Sequence, residues 1–554
     1  MPGIFGKIKG IFKKKSKPRA FIELKGEEEH PLSSNLDENI KYIKVIFDRC
    51  SDIVMREFKI SAEKPIGAFF VYVDGMIDKD LTGNNILHAL QLNPSLVRQG
   101  RQLTKVNAFK IIKDQIISTT EVKTTGDISK LTEFILGGDV ALIIDGTAKA
   151  IISSVRQMEG RNVDEPQTEP LVRGPRDGFV ESLRTNATLI RRRIKTSRLK
   201  MEVIKVGYLT KTDVAIFYID GIVNDDVVEE VRRRIERIKI DGVLASGYVE
   251  EFIEDHPFSV FPQVNTTERP DRTCACLLEG RVAIIVDNTP MCLIVPVAFP
   301  QFLQSPEDYY NRFPYATFTR LQRFITLNIA LLLPSVYIAV LTFHQEMLPT
   351  PLLISIAGQR EGVPFPAFFE ALLMEMVFEF LREAGIRLPR PVGQTVSIVG
   401  ALVIGQAAVS AGLVSSAMVM VVSLTAIAGF TIPTISGSYT IRVMRFPIMA
   451  LAASFGLFGV MIGLMAILIH LCSLRSFGMP YLTPIAPLSL SDLKDSFIRA
   501  PWWAMTTRPK YIGDKRPQRQ ARGQKPRPHP DNQKTKDVNK AKGEDSHAGK
   551  GKSH

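Results

Sequence analysis

The sequence contains little that would mark a soluble enzyme. It has no Gly-rich phosphate-binding loop, no His-Glu-x-x-His segment and no Gly-x-Ser-x-Gly elbow, and its eight histidines are dispersed over 554 residues. Cysteine is also scarce, and the cysteines lack the paired spacing of a zinc site. The five residues are Cys50, Cys274, Cys276, Cys292 and Cys472. The sequence therefore predicts no enzymatic activity, no metal site, no cofactor and reduced structural thiols.

Both ends of the chain contain few apolar residues and many basic ones. We expect no secretory signal peptide in the basic segment 1–37, because its apolar steps are short. Residues 506–554 are rich in Lys, Pro, Gln and Gly, which predicts a disordered basic tail. The net charge of +13 is uneven, and basic ends beside a membrane domain indicate a cytoplasmic surface near anionic lipid. Nucleic acid is not expected as a partner, because no aromatic residues are interleaved with the basic tail.

Two strand-like segments in the first 300 residues each occur twice. Residues 69–77 resemble 215–223, and residues 138–146 resemble 280–288. The aspartates that close the two segments are 71 positions apart in the first copy and 67 apart in the second. Each segment is a β-branched run ending in Asp-Gly or Asp-Asn, which is typical of a buried strand followed by a turn. The sequence therefore predicts an internally repeated α/β domain of two lobes. We place the lobes at 38–165 and 166–310.

The aspartates at these strand ends have two possible roles. A carboxylate at a strand end can serve catalysis, but a turn-capping aspartate is far more common. We therefore expect the capping role. A cleft between the lobes is a possible small-ligand site, although no convergent set of polar residues marks one.

Long apolar stretches in the region 311–505 predict an all-α polytopic membrane domain. A bilayer core of about 30 Å requires about 20 apolar residues in a helix. Four stretches have about this length. They are 324–343, 392–409, 413–432 and 446–472. Residues 364–384 are largely apolar but contain four glutamates. We therefore predict that this segment either lies in the interface or re-enters the membrane, or else crosses it with its charged stripe facing water.

Charge alone leaves the topology of this region open. Four spans place both basic ends of the chain on one side of the membrane. The same four spans place Arg382, Arg387 and Arg390 on the opposite side, against the tendency of basic loops to be cytoplasmic. A fifth span at 364–384 corrects that conflict but moves the basic tail outside unless another segment re-enters. We favour four spans plus an amphipathic or re-entrant helix.

Several polar side chains lie within or beside the apolar stretches. One stripe of a helix over this segment carries Glu375, Glu379, Arg382 and Glu383, and Glu370 lies on the other side. Arg445 near a span also requires a partner or water. Dense small residues allow either close helix packing or pore lining. The candidates for pore lining or gating are Glu370, Glu375, Glu379, Gln394 and Gln406.

Ordered motifs through the chain carry a resemblance to a known family. They are Val-Arg-Gly-Pro-Arg-Asp-Gly-Phe at 172–179, Arg-Glu-Gly-Val-Pro-Phe-Pro at 360–366, Arg-Leu-Pro-Arg-Pro-Val-Gly-Gln at 387–394, Arg-Phe-Pro at 445–447 and Met-Pro-Tyr-Leu at 479–482. With Asn186 and the arginine run 191–193, they resemble the A subunit of the GerA family of bacterial spore germinant receptors. The resemblance covers about residues 38–505.

The resemblance implies a function and a set of partners. A chain of this family is expected in the spore inner membrane, beside a transporter-like B subunit that binds the nutrient and a lipoprotein C subunit. It is expected to oligomerise with copies of itself and to form a germinant-gated ion channel that starts germination. Two alternatives remain, namely a paralogous A-like sporulation protein acting beside the receptor and a non-conducting scaffold that organises receptor clusters.

The motif between the lobes is rich in arginine. Such a segment predicts an interlobe or intersubunit salt-bridge element, although a solvated helix face is an equally common reason for the pattern. The candidate residues are Arg173, Arg176, Asn186, Arg191 and Arg193.

Overall fold

The structure is a computed structural model. It describes residues 30–60, 65–78, 82, 108–113, 122–156, 164–388, 403–513 and 515–527. The predictions for the basic tails and for Gln394 therefore lie wholly or largely outside the described residues.

The chain forms two compact units. One unit contains Leu24–Arg499 and Arg508–Pro517, and it holds every sheet and α-helix described below. The other contains Met1–Glu23, Ala500–Thr507 and Gln518–His554. In its described part, the Arg519 guanidinium lies 5.2 Å from the centre of the Trp502 ring, a cation–π distance.

The first lobe is an antiparallel five-stranded sheet with helices packed on it. Its strands are β1 (Ile53–Ile60), β2 (Ile66–Val73), β3 (Val122–Thr125), β4 (Val140–Ile144) and β5 (Ala150–Ser153). They are ordered β1-β2-β4-β5-β3. The helices are α1 (Leu36–Ile46), α2 (Ala108–Ile111) and α3 (Ile128–Leu136). Helix α1 begins at the N-cap Asn35 and buries Leu36, Ile40 and Ile43, which are spaced at the helical period.

The second lobe has the same sheet topology. Its strands are β6 (Leu199–Val206), β7 (Thr212–Ile219), β8 (Asn265–Thr267), β9 (Val282–Val286) and β10 (Cys292–Val295). They are ordered β6-β7-β9-β10-β8. The helices are α4 (Leu183–Arg193), α5 (Asp225–Glu236), α6 (Ser246–Ile253) and α7 (Pro270–Glu279). The four repeated segments form β2, β4, β7 and β9, so the predicted internal repeat and the α/β fold class are confirmed.

The turn after β9 explains the one departure from the Asp-Gly pattern. Gly221, after β7, has a φ of +75°, and Asn288, after β9, has a φ of +68°. Asparagine tolerates this left-handed region better than other residues with a Cβ. The neighbouring Asp287 carboxylate accepts a hydrogen bond from the backbone N–H of Leu183 at 3.0 Å, in the first turn of α4. Asp287 therefore supports the first turn of α4, whereas the sequence predicted a cap on the turn that follows the strand.

A helical region follows the lobes. Its helices are α8 (Glu307–Tyr310), α9 (Phe313–Phe343), α10 (Thr350–Arg360), α11 (Ala367–Arg387), α12 (403–410), α13 (Ser416–Phe430) and α14 (Ile435–Ser473). Among the described residues, α9 and α14 are long and apolar enough to cross a membrane, and α13 is apolar but shorter. The stretch predicted at 324–343 lies within α9, and the charged segment predicted at 364–384 corresponds to α11. Only 403–409 of the span predicted at 392–409 is described.

Helix α14 is not continuous over the span predicted at 446–472. The backbone reverses at Gly456, whose φ of +62° and ψ of −143° are not helical. A Cβ on Gly459 would lie 2.0 Å from the carbonyl oxygen of Leu451, so the two halves touch beyond the reversal. Residues 435–455 and 457–473 therefore form a helical hairpin. The stretch 446–472 is almost entirely apolar, so its sequence does not reveal the turn at Gly456.

Contacts along the hairpin define two ends of the helical region. At the lobe end, the Thr440 hydroxyl donates to the carbonyl of Val260 at 2.8 Å, and Ser259 Oγ lies 2.9 Å from His470 Nε2. At the distal end, Gly456 lies against Phe343 and His344. The helices thus run between these ends, with α9 leading away from the lobes and the second half of α14 returning.

The middle helices also run between the two ends. Gln359, at the end of α10, accepts a hydrogen bond from Ser416 at the start of α13 (2.7 Å). At the other end of α13, Ser438 donates to the carbonyl of Gly429 at 3.4 Å, close to the lobe end. Gly412, which follows α12, approaches the carbonyl of Gly362. Helices α11 and α13 therefore return toward the lobes, and α12 leads away from them.

Candidate functional site

Helix α11 carries its glutamates into the helical region. The buried residues of this helix are Ala367, Glu370, Ala371, Met374 and Glu375, which cover one face. Glu370 and Glu375 lie at the two edges of that face. The sequence placed Glu370 on the side opposite Glu375, but the buried face of α11 is wide enough to include both carboxylates.

Glu375 forms an ion pair with Arg445 of α14. The Glu375 carboxylate accepts a hydrogen bond from Arg445 Nη1, and the side chains are 1% and 3% exposed. Arg445 Nε donates a second hydrogen bond to the carbonyl oxygen of Ala330 in α9, at 2.8 Å. Pro334 lies four residues further along α9 and has no N–H to donate to that carbonyl. Arg445 therefore satisfies the acceptor that Pro334 leaves open, and it joins α9, α11 and α14.

Glu370 makes a second junction at the distal end. Its carboxylate contacts Arg360 Nε at 3.1 Å and accepts hydrogen bonds from the backbone N–H (3.0 Å) and the hydroxyl (2.9 Å) of Ser415. Ser415 is the N-cap of α13. A carboxylate is favourable there because the first N–H groups of a helix carry partial positive charge. Glu370 thus joins α10, α11 and α13.

Glu379 lies nearer the lobe end and is less buried. Its carboxylate is 3.1 Å from Arg382 and 3.9 Å from Arg442. Both guanidinium groups also lie over the ring of Tyr439, at 5.1 and 5.4 Å from its centre. Glu383, which shares the predicted stripe, pairs with Arg387 on an exposed surface. The stripe therefore changes along α11 from a buried ion pair at Glu375 to a solvated one at Glu383.

The glutamine candidate that the structure describes, Gln406, takes no part in these ion pairs. Gln406 is exposed on α12. Gln394 lies outside the described residues. The structure therefore brings Glu370 and Glu375 into interhelical contacts and leaves Gln406 on the surface of a single copy.

The arginine-rich candidates divide in the same way. Arg191, fully buried, donates from Nε to Asp52 at 2.6 Å and from Nη2 at 2.9 Å, so it joins the second lobe to the first. Asn186 is also buried but makes both of its hydrogen bonds to the backbone of Val180. Arg193 pairs with Asp177 within its own segment. Arg176 pairs with Glu165 on the surface, and Arg173 is exposed.

Comparison with known proteins identifies the family. The sequence model of the family described as Bacillus/Clostridium GerA spore germination protein matches residues 41–511 of this chain. The chain belongs to the GerA family. The spore germination protein KA of Bacillus subtilis (strain 168) is 46% identical over 91% of this chain and 91% of its own length. The spore germination protein GerLA of Bacillus cereus is 39% identical over 87% of this chain and 97% of its own length.

Two further similarities complete the comparison. The uncharacterized membrane protein YfkQ of Bacillus subtilis (strain 168) is 47% identical over 88% of this GerA-family chain and 93% of its own length. The crystal structure of the N-terminal domain of the A subunit of the Bacillus megaterium spore germinant receptor GerK3 is 36% identical. The match covers 49% of this chain and 98% of the GerK3 chain, and its TM-score is 0.39.

A third ion-pair cluster of this GerA-family chain was missed from the sequence. Arg320, near the start of α9, donates to Asp308 of α8 at 2.9 Å and contacts Asp495 after the hairpin at 2.9 Å. Arg323 contacts the same Asp308 carboxylate at 2.8 Å. The signal was present as two arginines three residues apart beside an apolar helix, but the partner at 495 is remote in sequence. Tyr310 of α8 also donates to Asp271 of α7 at 2.5 Å, so this cluster connects the second lobe to the helical region.

Proposed function

We propose that this GerA-family membrane protein is the A subunit of a nutrient germinant receptor in the spore inner membrane. It oligomerises with copies of itself and forms a germinant-gated ion channel that starts spore germination. The B subunit, which is transporter-like, binds the nutrient, and the lipoprotein C subunit completes the receptor. The lobes and the basic tail lie on the cytoplasmic side. Membership of the family, over nearly the whole length of germination proteins such as KA, supports this assignment.

The Glu375–Arg445 pair is the observation that carries the gating part of the proposal. A buried ion pair is costly to form and costlier to break, because either partner alone is a charge without compensation. The pair therefore adds little to stability, but it strongly favours the one helix arrangement in which both partners meet. We assign it the role of a latch that holds α9, α11 and α14 in the closed state.

The wall of the conduit is assigned to other residues. Within one copy, Glu370 and Glu375 are almost completely withdrawn from solvent. A channel at the axis of a homo-oligomer is lined by side chains exposed on the single copy. Gln406 on α12 is such a residue. We therefore assign Gln406, with Gln394 earlier in the same apolar stretch, to the wall, and the buried glutamates to gating.

Sequence identity does not choose between the receptor subunit and its paralogue. YfkQ, which is named only as a membrane protein, is as similar to this chain as KA is. The scaffold alternative differs in its consequence, because a scaffold conducts nothing and its function does not depend on the latch.

The test is potassium release from spores that carry Glu375→Gln. The substitution keeps the size of the side chain and leaves Arg445 as a buried cation without an anionic partner. We expect release without nutrient, or loss of nutrient-triggered release, at normal protein level. Glu383→Gln on the same helix is the matched control, because its pair with Arg387 is exposed, and we expect release as in the wild type.

The alternatives give different results in the same experiment. Normal release from Glu375→Gln spores that contain the protein in normal amount would contradict the latch and favour the scaffold. The paralogue would be favoured if spores germinate normally after deletion of the whole gene and another A subunit works with the B and C subunits.

A further inference from the structure

A short loop of the second lobe lies at the lobe end of the helical region. It spans residues 256–262, between α6 and β8, and it contacts both halves of the α14 hairpin. Val260 accepts a hydrogen bond from Thr440 at 2.8 Å, and Ser259 Oγ lies 2.9 Å from His470 Nε2. Phe261 is buried, and its ring centre is 5.9 Å from that of His470. The loop is therefore fixed at the level where the hairpin leaves its apolar section.

Phe258, at the tip of this loop, is completely exposed. Its relative accessibility is 101%, and Val260 beside it is 40% exposed. The loop is held in shape from within, because Gln263 accepts a hydrogen bond from the backbone N–H of His256 and donates one to its carbonyl, both at 2.8 Å. The ordered loop therefore holds the whole Phe258 ring in contact with water, which is unfavourable relative to burial. An apolar medium beside the loop would remove this contact with water.

The outer face of the hairpin shows which medium lies next to Phe258. In the returning half of α14, the exposed apolar residues recur at the helical period. They are Phe458, Met461, Ile462, Met465, Leu468 and Ile469. This face ends at His470, which contacts the residue next to Phe258. Just beyond it, Arg475 is exposed, as is usual where a membrane helix reaches the headgroups.

We propose that the 256–262 loop is an interfacial membrane anchor, with the Phe258 ring inserted at the boundary between headgroups and acyl chains of the leaflet on the lobe side. Interfacial segments bury apolar side chains such as phenylalanine at this depth, and the loop continues the lipid-facing surface of α14. The anchor holds the second lobe against the bilayer, in addition to the covalent connection between this lobe and the helices. It rests on the membrane location of the family and is independent of whether the chain conducts ions.

The test places a fluorescent reporter at the tip. Phe258→Trp is made in the full chain after Trp502→Phe and Trp503→Phe remove the two native tryptophans. The purified protein is reconstituted into phosphatidylcholine and phosphatidylglycerol vesicles with bromine at either shallow or deep acyl positions. We expect blue-shifted emission that shallow bromines quench at least twofold more than deep ones. Val45→Trp in the same background, an exposed apolar position on the first lobe, is the control and should remain unquenched.

Two other outcomes would overturn the proposal. Emission near that of free tryptophan, without quenching, would mean that the loop stands in water. Blue-shifted emission that is insensitive to bromine and depends on protein concentration would mean that a second copy covers Phe258. Each variant should have the same thermal unfolding midpoint as the wild type, which shows that the result does not come from misfolding. Ion release in the Glu375 experiment does not depend on any of these outcomes.

Discussion

At the scale of single residues, buried arginines join segments that are distant in the sequence. Arg191 reaches Asp52 in the other lobe, Arg320 reaches Asp495 beyond the hairpin, and Arg445 reaches Ala330 in α9. The planar guanidinium suits this use because it presents several donors in fixed directions. Such contacts add little net stability, since desolvation offsets their attraction, but they penalise every arrangement in which a partner is missing.

Arg191→Met tests this reasoning in the soluble lobes. The variant leaves Asp52 buried without a cation, so we expect the free energy of unfolding to fall by about 3–5 kcal/mol. The measurement is chemical denaturation of the purified full chain in detergent, followed by circular dichroism.

The control for Arg191 is Arg176→Met in the same motif. Arg176 pairs with Glu165 at 3.1 Å on the surface, where the two side chains are 74% and 59% exposed. Water screens that pair, so the denaturation midpoint should be unchanged. Equal effects of the two substitutions would show that burial does not determine the contribution of these arginines.

Glu250 of α6 makes stability depend on pH. Burial, with smaller contributions from Glu254 and Glu251, raises the pKa of its carboxyl from 4.5 to about 7. Between these values the folded protein binds more protons than the unfolded chain, so the free energy of unfolding falls as pH rises. Glu250→Gln removes this penalty. We expect it to stabilise the protein at pH 8 by on the order of 3.5 kcal/mol, from about 1.4 kcal/mol for each tenfold change in proton affinity.

The Glu250 prediction is checked by denaturation at pH 4.5 and pH 8. The two proteins should differ little at pH 4.5, where the wild-type carboxyl is protonated in the folded state. Glu229→Gln, an exposed substitution on α5, should leave the profile unchanged. A wild-type stability that does not decline between the two pH values would contradict the assignment to Glu250.

At the scale of elements, local pattern predicted the strands much better than the apolar helices. The repeated segments at β2, β4, β7 and β9 were visible because a buried strand is short, β-branched and closed by a turn residue. The break at Gly456 was not visible, because glycine is common inside membrane helices and nearly all of the flanking residues are apolar. The need of Arg445 for a partner was predictable from its cost in lipid. The identity of that partner was not, because it depends on how three helices pack.

Gly456→Ala tests the hairpin. A Cβ at this position would lie 2.8 Å from the His344 ring and 2.9 Å from Phe343 Cβ, and the backbone region is one that only glycine populates readily. Such a backbone conformation costs on the order of 1–3 kcal/mol for other residues, before the clash is counted. We expect a lower thermal midpoint of the detergent-solubilised protein and less of it in spores.

Gly429→Ala in α13 is the matched control for the hairpin. That glycine has no neighbour within 4 Å of an added Cβ. Because alanine is the better helix former by about 1 kcal/mol, the thermal midpoint should stay the same or rise. A Gly456→Ala protein as stable as this control would show that the helix continues through residue 456.

At the scale of the whole molecule, the reversal at Gly456 changes the topology that charge alone left open. We propose that both halves of the hairpin cross the bilayer and that α11 also crosses it, because its 21 residues extend about 31 Å at 1.5 Å per residue, which matches a bilayer core of about 30 Å. With α9, α11, the stretch ending in α12, α13 and both halves of α14 as passes, the chain returns to the side of its lobes. Arg382 and Arg387 then lie on that same side, as the positive-inside tendency requires.

This topology predicts opposite exposure of the two ends of α11. In a chain with Cys472→Ser, which removes the exposed native thiol, single cysteines replace Glu361 before α11 and Arg387 at its end. A reference cysteine replaces Glu229 on the second lobe. An impermeant maleimide applied to intact and inverted vesicles should label Arg387→Cys from the same face as the reference and Glu361→Cys from the opposite face. If one face labels both ends, α11 lies along the interface, and the buried Glu375–Arg445 pair must then form at the edge of the bilayer, where water is close enough to weaken the latch proposed for it.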